Sequence, residues 1–155
     1  MTARWRAVAE AGPAFDAPSL VAVLRRQARA WPDRPAFVFL VDGESEEVAL
    51  TYAELDRRAR ALAAELQALG AAGERALLLY PSGLDYVVGF FGCLYAGVVA
   101  VPAFPPRLSK PTPRLQAIAA ASAARFALTT ASILANVEAR PQALRELGDV
   151  RWLAT

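Results

Sequence analysis

Apolar positions recur along this chain in two rhythms, and the switches between them lay out its elements. Leu20, Leu24, Ala28 and Trp31 share one helical face behind a Ser19 cap, and Trp31-Pro32 ends that helix. After Pro35 the run Ala36–Val41 reads as a strand. Asp42-Gly43 turns the chain, Glu44, Glu46 and Glu47 solvate the bend, and Val48–Leu50 returns as the second strand of a hairpin. Thr51 and Glu54 form a capping box. Leu55, Ala59, Leu62, Leu66 and Leu69 then fall at helical spacing, and Gly70 stops the helix. Arg57, Arg58 and Arg60 lie off the apolar stripe and read as solvent-facing.

The densest apolar stretch follows, from Ala76 to Pro106. Ala76–Tyr80 has the length of a strand buried on both faces. Ser82 is the predicted cap of the next helix, with Asp85 completing a capping box. From Tyr86 to Ala96 that helix is apolar all round, which predicts complete burial. Gly97 falls where a left-handed C-terminal residue is usual, and Val98–Val101 reads as a second strand. Pro102, Pro105 and Pro106 bar further regular structure. Strand, helix and strand make a βαβ unit with parallel strands. The uncharged run from Tyr86 to Pro106 also has the length of a membrane span, about 20 residues. Gly89, Cys93 and Gly97 recur four apart, as in membrane helix pairs. Gly97 and Pro102 interrupt the run and no aromatic and basic belt flanks it, so a buried crossover helix is the reading.

Thr112-Pro113 is a cap with proline at the first helical position, and Leu115, Ile118, Ala119 and Ser122 share a face beyond it. Phe126–Thr130 reads as a strand. Ser132 is the predicted cap of a helix carrying Ile133, Leu134 and Val137, broken or kinked at Pro141, with Leu144 and Leu147 extending its face. Val150–Thr155 reads as a further parallel strand. The fold class is therefore α/β: an N-terminal hairpin and helices, then βαβ units of a mainly parallel sheet. Residues 1–18 form a loose leader, and 19–155 form a partial domain expected to be truncated after Thr155, because its last strand lacks a following cover.

Composition narrows the chemistry. With 55% hydrophobic and 21% charged residues the chain is not a disordered one. A net charge of +2 is a small excess, which argues against nucleic acid as a partner. There is no histidine and one cysteine, Cys93, which removes Ser-His and Cys-His catalysis and ordinary zinc sites. A lone cysteine in a buried helix allows no disulfide framework and fits a reducing cytoplasm. The N-terminus has no apolar core of signal-peptide length. The acidic cluster at 42–47 is a solvated loop rather than a metal site.

Sheets of this type bind ligands at the carboxyl ends of their strands. Those ends carry Tyr80-Pro81-Ser82-Gly83, the loop from Pro102 to Lys110, and Thr129-Thr130. None holds a GxGxxG, Walker or GxSxG signature. Within them the loop Ala103–Lys110, with Phe104, Arg107 and Lys110, is the segment placed to line a site.

Two motifs carry a family resemblance. Leu50-Thr51-Tyr52-Ala53-Glu54-Leu55 resembles the LTYxEL signature that opens adenylate-forming enzymes, and Leu94 to Pro102 resembles their LxAGxxxVP signature. The longer stretches ALLLYPSGLDYVVGFFGCLYAGVVAVPAFPPR, RLQAIAAASAARFALTT and RWLAT resemble the fatty acyl-AMP ligase branch, related to acyl-CoA synthetases and nonribosomal peptide adenylation domains. The resemblance covers nearly all of 19–155 and implies the first part of the large N-terminal domain. It implies a parent enzyme that uses ATP and Mg²⁺ to convert a fatty acid to acyl-AMP. The acyl group would then pass to an acyl carrier protein, or to a fused polyketide or nonribosomal peptide synthase module. An acyl-CoA synthetase fragment and a non-catalytic remnant serving as an interaction module remain as alternatives. The family's phosphate loop, nucleotide-binding motifs and catalytic lysine lie later in such proteins, and Lys110 matches none of them. No catalytic or metal residue is carried over and cofactor-binding residues are unassigned, so the chain alone is expected to be inactive and to hold no cofactor.

Overall fold

The computed structural model describes residues 17–106, 112–139 and 147–155. Residues 1–16 of the leader, and Arg107, Lys110, Pro141 and Leu144, lie outside them. Among the described residues the chain runs α1 (Leu20–Ala30), β1 (Pro35–Leu40), β2 (Glu47–Thr51), α2 (Tyr52–Ala68), β3 (Arg75–Leu78), α3 (Leu84–Ala96), β4 (Val99–Pro102), α4 (Pro113–Ser122), β5 (Phe126–Thr129), α5 (Ala131–Glu138) and β6 (Arg151–Ala154). β1 and β2 pair antiparallel as the expected hairpin, while the other four strands form one parallel sheet in the order β4-β3-β5-β6.

The two central strands are short and mostly apolar, and their alternate residues pack on opposite faces of the sheet. Ala76 and Leu78 of β3, with Phe126 and Leu128 of β5, face α2 and α3 in a core with Leu62, Leu66, Cys93 and Ala96. Leu77, Leu79 and Ala127 face the opposite side, against Leu115 and Ala119 of α4 and Leu147. Helices on both faces explain why β3 and β5 carry no polar alternation. Leu24, Leu50, Leu55 and Val88 form a third cluster that joins α1 and the hairpin to α2 and α3. Thr51 caps α2 through the Glu54 amide at 3.2 Å, and Leu55, Ala59, Leu62 and Leu66 are buried as the stripe predicts.

No residue of α3 is exposed, and its glycines explain how it comes so close to its neighbours. A Cβ at Gly89 would stand 2.6 Å from the Tyr80 ring, and one at Gly92 would stand 2.6 Å from the Leu62 side chain. The small residues serve helix–strand and helix–helix contact inside this domain. Among the described residues no helix is long and apolar enough to cross a membrane. Gly97 ends α3 in the left-handed conformation, at φ 71° and ψ 28°.

Five local expectations are corrected. Gly83, at φ 155°, takes the N-cap position of α3 rather than Ser82, and α3 begins at Leu84. Asp85 is drawn to Arg58, 2.6 Å away, so Arg58 is half-buried in an ion pair while Arg57 and Arg60 face solvent as expected. Thr130 caps α5 through the Ile133 amide at 3.4 Å, with the Ser132 hydroxyl 3.1 Å from its own. Leu20 and Trp31 are exposed, because α1 is covered only over its middle, at Leu24. β4 includes Pro102, which is tolerated because β4 is an edge strand of this sheet.

Candidate functional site

β4 and β5 lie on opposite sides of β3, so the chain reverses its direction of winding there and opens a crevice at the carboxyl ends of the strands. A cleft of about 700 Å³ occupies that position. Tyr80 and Ser82 line it from the end of β3, Tyr86 from the first turn of α3, Phe104 from beyond β4, and Leu115 and Ile118 from α4. Prolines 81, 102, 105 and 113 shape its rim. The Ala103 amide donates to the Leu78 carbonyl at 3.2 Å and holds the start of the β4 exit loop against β3. Arg114 is the charged residue of the lining.

The strand ends behind the cleft are tied together by hydroxyls. Thr129 is fully buried and donates to the Leu79 carbonyl at 2.6 Å. Thr155 Oγ lies 2.9 Å from the Tyr80 hydroxyl and 3.4 Å from the Thr129 carbonyl, to which it donates. Burial pushes the Tyr80 phenol far above its ordinary range, so it stays neutral. Thr129 and Thr130 therefore serve structure: one bonds across β3 and the other caps α5.

Of the loop proposed to line a site, Ala103 and Phe104 do reach the cleft, and Phe104 is 84% exposed at its edge. Arg107 and Lys110 lie outside the described residues. The contributions of Tyr86, Arg114, Leu115 and Ile118 were missed, because helix periodicity reports which residues face a core and not which helix ends meet. Pro113 at the start of α4, set beside the switch-point rule, was the available signal.

Three other titratable groups among the described residues are strongly shifted by their surroundings. Burial pushes the Cys93 thiol up to about 12, so it has no thiolate to offer. Burial raises the Tyr95 phenol, and its hydrogen bond to Asp56 raises it further. The backbone amides of Glu44, Glu46 and Ser45 hold the Asp42 carboxyl well below the usual range, so that carboxylate organises its own loop. Among the described residues no group of three or more acidic, histidine or cysteine side chains could hold a metal ion. Among the described residues no carboxylate lines the cleft. These described residues do not fit Mg²⁺. Among the described residues the lining is mainly apolar, with one guanidinium at Arg114.

Residues 24–153 match the family described as AMP-binding enzyme. The chain belongs to that family. It is 42% identical over 141 residues to the medium-chain-fatty-acid–acyl-carrier-protein ligase JamA of Moorena producens, covering 88% of this chain and 24% of that relative. It is 35% identical over 125 residues to the long-chain-fatty-acid–AMP ligase FadD23 of Mycobacterium tuberculosis, covering 79% of this chain and 21% of the relative. The fold superposes on the fatty acyl-adenylate ligase from L. pneumophila in complex with acyl adenylate and pyrophosphate, with a TM-score of 0.78, 36% identity, and coverage of 90% of this chain and 23% of that one. This AMP-binding family chain thus spans less than a quarter of the length of these relatives. Its parallel sheet and flanking helices correspond to the N-terminal domain of adenylate-forming enzymes.

Proposed function

We propose that this chain is the N-terminal part of an ATP-dependent fatty acyl-AMP ligase working in the cytoplasm. The whole enzyme activates a fatty acid as its acyl-adenylate and passes the acyl group to the phosphopantetheine thiol of an acyl carrier protein, for lipid, polyketide or nonribosomal peptide synthesis. The observation that carries this reading is the 42% identity to JamA over 141 residues, which include both family signatures. The cleft supports it by its chemistry, since it offers apolar surface to an extended chain such as an acyl group or an acceptor arm. ATP and Mg²⁺ are the cofactors of the whole enzyme, and their binding groups belong to parts beyond the described residues.

Within this reading the 155 residues supply architecture and one wall of the substrate region. Catalysis itself is positioning and charge stabilisation at the phosphate, carried by other segments. The test is fatty-acid-dependent ATP–pyrophosphate exchange by the complete protein that contains these residues, followed by acyl transfer to a phosphopantetheinylated carrier protein or to coenzyme A. Exchange with transfer to the carrier is the expected result. Exchange with transfer to coenzyme A would make it an acyl-CoA synthetase, and no exchange with any fatty acid would leave the non-catalytic remnant standing.

A further inference from the structure

We propose that the cleft takes the fatty acid tail-first, with Arg114 holding the carboxylate at its mouth and Phe104 covering the upper part of the chain. This deepens the functional reading above and rests on it. The direction follows from how burial and polarity change across the cleft. Tyr80 and Leu115 line it and are buried, each at 5% exposure. Tyr86 and Ile118 line it half-buried. Arg114 and Phe104 line it as well, and both are exposed. The floor is therefore aromatic and aliphatic, while the mouth offers one cation and one open ring.

Neither mouth residue is engaged by the fold. Among the described residues Arg114 forms no ion pair, and no carboxylate lines the cleft with it. Among the same residues Phe104 joins none of the three hydrophobic clusters, and it is 84% exposed. Its backbone is restrained all the same. The Ala103 amide is bonded to the Leu78 carbonyl, and Pro105 favours an extended Phe104. A ring held on a restrained backbone loses little freedom when a ligand covers it. The guanidinium of Arg114 can engage a carboxylate through two parallel hydrogen bonds.

An alkyl tail gains by displacing water from the floor. A carboxylate placed there would lose its hydration with no partner, since the Tyr80 hydroxyl is already bonded to Thr155. Tail-first entry satisfies both ends of the ligand. It leaves the carboxyl at the carboxyl ends of the strands, open to nucleotide held by other segments of the whole enzyme.

The probes are decanoate and decanol, which share a tail and differ in the charge of the head, titrated by calorimetry into the complete protein. Arg114→Gln is expected to weaken decanoate about fivefold and to leave decanol within about twofold. Arg114→Lys should recover part of that loss. Phe104→Ala should weaken both ligands alike, by about threefold or more. Arg151→Gln removes the same charge at the amino end of β6, away from the cleft, and should stay within about twofold of the parent. Circular dichroism checks that each variant is folded. Equal loss of decanoate and decanol in Arg114→Gln would make the residue structural and overturn its role. Equal loss of decanoate in Arg114→Gln and Arg151→Gln would reduce the effect to net charge and overturn it too. Unchanged binding of both ligands by Phe104→Ala and Arg114→Gln, in a protein that still exchanges pyrophosphate with decanoate, would place the acyl chain elsewhere and leave the functional reading intact. Absence of exchange by the parent with any fatty acid would defeat that reading, and the contrast between decanoate and decanol would still decide whether Arg114 holds a carboxylate.

Discussion

At the residue scale, Gly97 shows most directly how backbone geometry constrains the sequence. Its φ of 71° is one that side chains with a Cβ adopt only with strain, and open space surrounds the position where that Cβ would stand. The Cβ of Gly97→Val thus meets no neighbour, and the backbone strain costs roughly 1 kcal/mol or more. Gly97→Asn should lose less, because asparagine tolerates the left-handed region. Denaturant midpoints measured on both variants check the order. In the complete protein Gly97→Val should leave acyl-chain preference unchanged, and a stable variant with altered preference would place this residue at the substrate instead. Asp42 gives a pH-dependent counterpart. Its folded carboxyl is held below the ordinary value by three amides, so the stability it contributes is present above about pH 4 and is lost as pH falls through its folded value. Asp42→Ala should remove that part of the acid sensitivity of the hairpin loop, read by amide exchange at Glu44, Ser45 and Glu46 between pH 5 and pH 2.

At the element scale, the contact between α2 and α3 depends on a missing side chain. A Cβ at Gly92 would meet Leu62 Cδ2 at 2.6 Å, Cγ at 2.9 Å and Cβ at 3.1 Å, so swinging the end of the leucine aside would not relieve it. Gly92→Ala should therefore destabilise by about 1–3 kcal/mol despite alanine's better helix propensity. Leu62→Ala alone should cost about 2–5 kcal/mol as a cavity. The double variant should cost less than the sum of the two, a coupling that a double-mutant cycle of unfolding free energies reads directly. Strict additivity would show that the helices separate rather than collide. The Arg58–Asp85 pair links the same two helices at 2.6 Å, but both side chains retain solvent contact, which limits its worth to about 1 kcal/mol or less. Its consequence is geometric: it holds the first turn of α3, and with it Tyr86, at the edge of the cleft.

At the scale of the whole molecule, the described residues display the fold of the family's N-terminal domain. Among the described residues the cleft lining holds one arginine and no carboxylate, and the sheet ends hold hydroxyls already used in the structure. The isolated chain should show no fatty-acid-dependent ATP–pyrophosphate exchange; measurable exchange would put phosphate-binding groups within it. Phe37, Val38, Leu40, Val41 and Val48 of the hairpin are all exposed, leaving apolar side chains in water on both of its faces. The isolated chain should accordingly bind a hydrophobic dye, and a monodisperse, dye-negative monomer with a sharp melt would count against that.

Local and periodic features were determined by sequence alone. The helical stripe from Leu55 to Leu66, the Thr51 cap, the left-handed Gly97 and the apolar strands β3 and β5 all follow from contacts within a few residues, and each was legible there. The family signatures were legible for the same reason, since they are caps and turns. Tertiary structure decided what depends on partners distant in the chain. It moved the cap of α3 to Gly83 and engaged Asp85 with Arg58, 27 residues away. It exposed Leu20 and Trp31, because a helical stripe predicts a buried face but not how far the neighbouring helices extend along it. It also assembled the cleft from the ends of β3 and β4 and the starts of α3 and α4. Strand order creates that crevice, and strand order is set by which packed faces the chain can bring together, a property that no local pattern carries.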